Sequence, residues 1–192
     1  MGTLRKAAAY SRRYALPYTR TSRKKNKSFI KVIPPQKIVK FCMGRGDLFR
    51  QGKLPFQLDI VAVEFGQIRH NALEAVRQFL TKGLDESLPG QYYFKVVPFP
   101  HHIQRENKML TGAGADRMQT GMSRSFGKSV GKSALVHKGS SVFFFALQDA
   151  RGLAIARNLM KIVKPKMPCK LSFIDRTDKV AAKIAQQERE SA

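Results

Sequence analysis

The sequence predicts an α/β domain of the α+β type, two helices packed on a mixed sheet, because runs of β-branched and aromatic residues alternate with two stretches whose apolar residues recur at helical period. Lys37 to Met43 and Phe56 to Phe65 read as strands, with Gly44, Gly46, Gly52 and Pro55 supplying the turn between them. Ile68, Ala72, Leu73, Val76, Phe79 and Leu80 then form an apolar helical stripe that ends near Gly83, its other face carrying Arg69, Glu74, Arg77 and Lys82. Tyr92 to Val97 is a third strand, stopped by Pro98 and Pro100. After a long interruption come strands at Ala134 to His137 and Val142 to Leu147, a helix from Ala150 to Val163, and a strand at Cys169 to Ile174. In that second helix Leu153, Ala156, Leu159, Met160 and Val163 make the buried stripe. Arg157, Lys161 and Lys164 line up as a basic ridge, and no acid within the helix is spaced to pair with them. Such a ridge favours phosphate contact over an ordinary solvated face.

A chain of 192 residues with 43% hydrophobic positions has enough apolar material for one cored domain or two small ones. Its charge is the outlier: 36 Lys and Arg against 13 Asp and Glu give +23. A surface so charged repels itself unless a polyanion covers it. Cys42 and Cys169 fit no metal or redox spacing, which points to a reducing compartment and to two buried small hydrophobes. No apolar run approaches the ~20 residues a bilayer span needs, and the N-terminus lacks a secretory apolar core, so a soluble intracellular protein is expected.

The charge is not spread evenly. Residues 1–27 hold nine basic residues and no acid, among them Arg12, Arg13, Arg20, Arg23, Lys24 and Lys25, interleaved with Tyr10, Tyr14 and Tyr18. That basic N-terminal arm suits phosphate contact and base stacking, its rivals being a solvated tail and a mitochondrial transit peptide. Residues 28–175 form the expected globular domain and 176–192 a helical C-terminal tail. Within the domain, residues 101–133 hold five glycines and six Arg or Lys with no sustained period of 2 or 3.6, and so read as a long loop. Ile103, Met109, Leu110, Met118, Met122 and Phe126 are spaced apolar anchors that binding would order. Lys108, Arg117, Arg124, Lys128 and Lys132 supply cations, and Gly112, Gly114, Gly121, Gly127 and Gly131 permit close backbone approach. RNA, with dense phosphate on irregular surfaces, is the partner such a segment fits.

Other motifs fail on spacing. Gly127-Lys128-Ser129 and Gly131-Lys132-Ser133 resemble the end of a phosphate-binding loop, but the required earlier glycine is replaced by Met122 or Phe126, and strand rather than helix follows. His101 and His102 point to opposite faces of a strand, and Glu106 adds no recognised ligand spacing. His70 and His137 stand alone and read as surface or hydrogen-bonded core residues. Arg45-Gly46-Asp47 is turn chemistry, and Asn26-Lys27-Ser28 is an idle glycosylation acceptor. No catalytic constellation, metal site or cofactor motif emerges, so neither an enzyme nor a small-molecule substrate is expected.

Four strings resemble a known family: Ile68-Arg69-His70-Asn71-Ala72-Leu73-Glu74-Ala75; Pro100-His101-His102-Ile103-Gln104-Arg105-Glu106-Asn107-Lys108-Met109; Gly112-Ala113-Gly114-Ala115-Asp116-Arg117-Met118-Gln119-Thr120-Gly121-Met122; and Phe126-Gly127-Lys128. They are similar to the large-subunit ribosomal protein ten-e family of archaea and eukaryotes, the equivalent of bacterial large-subunit protein sixteen, in its archaeal form. The resemblance runs from about residue 17 to 175, and departs from many relatives at Ser129-Val130 and Lys132-Ser133. It implies a hammerhead-like fold bound to large-subunit rRNA beside the A-site tRNA, in the cytoplasm, with neighbouring ribosomal proteins and the A-site and P-site tRNAs as partners. It also implies that residues from about Arg105 to Gly121 reach toward the peptidyl transferase centre and that the protein joins late in subunit assembly. RNA contact is accordingly expected at Arg105, Asn107, Lys108, Arg117, Arg124 and Lys128. Two other classes are a free-standing RNA-binding or chaperone module, distinguished by sedimentation apart from ribosomes, and a nucleotide-using enzyme, distinguished by ATP or GTP turnover.

Overall fold

The structure, a computed structural model, describes residues 11, 24–28, 30–106 and 127–177. Its elements run β1 (Cys42–Gly44), α1 (Gly46–Arg50), β2 (Phe56–Ala62), β3 (Gly66–Arg69), α2 (His70–Ser87), β4 (Tyr92–Val96), β5 (His102–Glu106), β6 (Lys128–Val136), β7 (Ser141–Leu147), α3 (Ala150–Val163) and β8 (Leu171–Asp175). Five strands form one sheet in the order β1-β4-β7-β2-β8, three form a second in the order β3-β6-β5, and every neighbouring pair is antiparallel. The class is α+β, but the expected mixed sheet is replaced by two antiparallel ones. The reason is topological. The connection through α2 joins β2 to β4, and α3 joins β7 to β8; each joined pair runs parallel with one antiparallel strand slotted between, so no parallel ladder forms.

Both helices bury apolar stripes in one core, α3 against the larger sheet and α2 against strands of both sheets. Leu73, Val76, Leu80 and Leu84 of α2 and Ala156, Met160 and Val163 of α3 join Leu58, Ile60, Phe94, Phe143 and Phe145 in one core. Phe94 and Phe145 sit opposite each other on β4 and β7 with stacked rings 4.7 Å apart. Each such fully buried side chain contributes roughly 1.5–3 kcal/mol. Gly83 does not end α2, which continues to Ser87. It is the point where the helices touch, since a Cβ there would lie 2.7 Å from Leu159 Cδ2. Asp59, only 1% exposed in the middle of β2, is paired with Arg176 and accepts a hydrogen bond from Ser141 Oγ, which satisfies this buried carboxylate.

Several boundaries move. The strand expected at Lys37 to Met43 shrinks to Cys42–Gly44, because only these residues pair with β4, although Ile38 anchors the approach. The glycine-rich turn after it contains the short helix α1. The Phe56 to Phe65 strand stops at Ala62, and Ile68 belongs to β3 rather than to the following helix. The last strand starts at Leu171 rather than Cys169. Cys169 is buried as expected, and burial pushes its thiol up to about 11. Cys42 is exposed on edge strand β1, because alternate positions on an edge strand face outward.

The largest revision concerns residues 101–133. Their two ends are strands, β5 and β6, zipped from His102↔Ser133 to Glu106↔Lys128. These flanks escaped the periodicity test because the buried side chains His102, Gln104 and Ser133 are polar, so inward and outward positions look alike.

Candidate nucleic-acid interface

The second sheet carries the unusual chemistry. Across β3, β6 and β5 the register aligns Arg69, Ser133 and His102, with Gln67 two residues before Arg69 and Gln104 two beyond His102. Gln67, Ser133, His102 and Gln104 are all buried, and Ser133 Oγ donates to Gln67 Oε1 at 3.1 Å. Ile68, Ala134 and Val136, the alternating residues, join the main core. Burial, then the nearby His101 and Arg105, lower the proton affinity of His102, so its ring is neutral at pH 7.

At the outer end of this hairpin the ladder slips between Gln104 and Arg105, and Arg105 comes opposite Ser129. There, Ile30, Lys31, Val32, Arg105, Gly127, Lys128 and Ser129 line a groove of about 460 Å³. Ser129 Oγ donates to the Val32 carbonyl at 2.9 Å, which fastens the 30–32 segment to β6, while Lys31 Nζ reaches the Asn26 carbonyl at 2.6 Å. Gly127 enters β6 with φ of 72°, a left-handed turn that a side chain would strain. Three cations thus line a groove together with the buried Ile30 and the exposed Val32. Cations in such a lining attract phosphate, and its apolar side chains offer a surface to an unstacked base.

Of the residues nominated from sequence, Arg105, Gly127 and Lys128 are therefore together. Lys132 stands apart, near the start of α2, where it acts with Lys37 and Arg69 on the buried His70. That ring is held down at about 4 by burial first and these three cations second, and its Nδ1 has no hydrogen-bond partner, contrary to the expectation of a surface or satisfied core histidine. The α3 ridge is divided. Lys161 and Lys164 are exposed, but Arg157 makes a 3.0 Å ion pair with Asp175 of β8, a partner that lies outside the helix and so was invisible to helical spacing. Lys24 is exposed and Lys25 opens a 3-10 turn. Arg12, Arg13, Arg20, Arg23, Asn107, Lys108, Arg117, Arg124, Gly112, Gly114 and Gly121, and the tail from residue 178, lie outside the described residues. Lys31 of the groove, and Lys37 and Arg69 beside His70, are cations that sequence reading did not nominate. For Lys31 and Lys37 the available signal was the pair Pro34-Pro35, which marks an extended approach to the first strand. Among the described residues no group of three or more His, Cys, Asp or Glu is placed to hold a metal.

Compared with known proteins, the chain matches the family model for ribosomal protein L16p/L10e over residues 17–174. It is similar to proteins named large ribosomal subunit protein uL16. That of Staphylothermus marinus is 44% identical over 140 residues, covering 72% of this chain and 75% of the relative. That of Hyperthermus butylicus is 44% identical over 141 residues, covering 73% and 71%. That of Sulfolobus acidocaldarius is 38% identical over 167 residues, covering 86% and 89%.

Proposed function

We propose, from the premise that this chain belongs to the ribosomal protein L16p/L10e family and is a structural constituent of the large ribosomal subunit, that it grips large-subunit rRNA through the cationic end of the β5–β6 hairpin. The observation that carries this reading is the gathering of Lys31, Arg105 and Lys128 around one groove at the root of the segment 107–126. The two-sheet body is the scaffold, and the arm 1–27, the hairpin and the exposed Lys161 and Lys164 neutralise phosphates around it. The segment beyond Arg105 reaches toward the peptidyl transferase centre, beside the A-site and P-site tRNAs, and the protein joins the cytoplasmic subunit late, next to other ribosomal proteins. Its role is to position RNA; the chemistry belongs to the RNA. No helix among the described residues is long and apolar enough to cross a membrane.

Sedimentation tests the reading. The full chain, tagged and expressed in cells, should travel with large subunits on sucrose gradients at physiological salt and leave them in high salt. Recovery in free, slowly sedimenting fractions at physiological salt would instead support a free-standing RNA chaperone and would refute the ribosomal assignment.

A further inference from the structure

The start of α2 presents a charge conflict. This 18-residue helix begins at His70 with no side-chain hydrogen bond at its cap, Arg69, and no acid in its first turn. Its first amides lack intrahelical acceptors, and the helix dipole places partial positive charge there. Proteins ordinarily offset that charge with Asp, Glu, Ser or Thr. Here the charged groups that act on the first residue's ring are Lys37, Lys132 and Arg69, all basic. Piling cations on the positive end of a helix is unfavourable unless an anion completes the arrangement.

His70 supplies an independent sign of a missing partner. The residue is 5% exposed and its Nδ1 makes no hydrogen bond; the neighbouring Asn71 Oδ1 is also buried and without a partner. A buried polar atom left unpaired costs about 1–3 kcal/mol. The far end of the ring, Nε2, lies against β6, since a Cβ on Gly131 would be 3.2 Å from it. Nδ1, bonded to Cγ, is therefore on the side of the ring nearer its own backbone, at the first turn of the helix. A neutral imidazole can carry its proton on Nδ1, and the Asn71 amide can rotate to present N–H, so both can donate to an oxyanion.

We propose that the start of α2, ringed by Lys37, Arg69 and Lys132, is a built anchor for a single phosphate group of the RNA backbone. The anchor rests on the rRNA-binding reading above but is a separate place from the Lys31, Arg105 and Lys128 groove. Phosphate suits it because one tetrahedral oxyanion accepts from backbone amides, an imidazole N–H and lysines together.

The test uses the full chain and a Lys37→Gln/Lys132→Gln variant, with Lys53→Gln/Lys95→Gln as a control of equal charge loss. Binding to purified large-subunit rRNA is measured across a salt series. Losing one phosphate contact should flatten the slope of log affinity against log salt by ~0.7–0.9, which is about a sixfold loss of affinity near 0.1 M salt. The control should keep the original slope. In parallel, the amide signals of His70, Asn71 and Ala72 and the ring nitrogens of His70 are followed by NMR on adding inorganic phosphate, then an rRNA fragment. Shifts with both probes, lost in the double variant, support an RNA phosphate anchor. Shifts with inorganic phosphate alone would mean a free-anion site and overturn the RNA assignment. An unchanged slope in the double variant, or silent signals with both probes, would overturn the site. If the wild-type chain binds no rRNA, the functional reading fails, while the inorganic phosphate titration still reports on the anchor.

Discussion

The groove at the hairpin end makes the sharpest claim about affinity. Replacing Lys31, Arg105 and Lys128 together by Gln removes three cations from one groove while keeping the positions polar. If each neutralises one phosphate of single-stranded or irregular RNA, the salt slope should fall by ~2, since each contact contributes about 0.7. Near 0.1 M salt that corresponds to about a 100-fold weaker complex. The deficit should itself shrink by roughly 20-fold as salt rises from about 0.05 to 0.2 M, because released counterions matter less when the solution already holds many. Filter binding of purified large-subunit rRNA over that salt range measures both quantities. A Lys53→Gln/Lys82→Gln/Lys95→Gln variant, equal in charge loss but keeping the groove cations, should retain most of the slope. If the two triple variants lose the same slope, attraction is diffuse rather than local, and the groove has no special part in binding.

Two further outcomes concern stability. Gly44 has φ of 80° and a Cβ there would lie 2.3 Å from the Tyr92 carbonyl oxygen, whereas Gly90, at φ of 71°, has nothing within 4 Å. Gly90→Ala should therefore cost only the conformational penalty of about 1–2 kcal/mol, and Gly44→Ala clearly more because β1 must part from β4; equal costs in urea unfolding would refute the steric account. His70 has its folded value held at about 4 against an ordinary 6.5, so below 6.5 the unfolded chain takes up a proton that the folded chain refuses. Its contribution is complete above 6.5 and drains away as pH falls toward 4, about 2 kcal/mol between pH 7 and pH 5. A His70→Gln variant should lack that part of the pH dependence, and a variant as acid-sensitive as the parent would show that the ring is not held neutral.

What could be read in advance depended on whether the physical signal was local. The α3 boundaries, Ala150–Val163, coincide with the expected helix because an unbroken stripe at helical period runs between Asp149 and Pro165. The end of α2 was misplaced because Gly83 looks like a terminator in one dimension and is a helix contact in three. Strand β5 and the first half of β6 were illegible for a different reason: hydrophobic alternation presumes one polar and one apolar face, and here the face opposite the core buries the polar His102, Gln104 and Ser133. At the candidate site, Arg105 and Lys128 stood out because they lie in a glycine-rich basic stretch. Lys31 did not, since it reaches the groove through a contact between Val32 and Ser129, 97 positions apart. Arg157 was misjudged by the same blindness to distant partners, its acid lying 18 positions on in β8.

The two sheets divide the physical demands on the chain. The five-stranded sheet holds the fully buried Tyr92, Phe94, Phe143 and Phe145 together with Leu58 and Ile60. The three-stranded sheet gains much less from apolar burial, leaves Gln104 Nε2 unpaired, and keeps cations at both its hairpin end and the adjoining helix start. An isolated protein would gain stability by exchanging those polar and basic residues for apolar ones. Their retention makes sense when polyanion is part of the finished structure: phosphates offset the cations, and the larger sheet supplies enough stability to carry the deficit until they arrive. On the proposed function, stability and recognition sit on different sheets of one body, joined where β3 turns directly into α2.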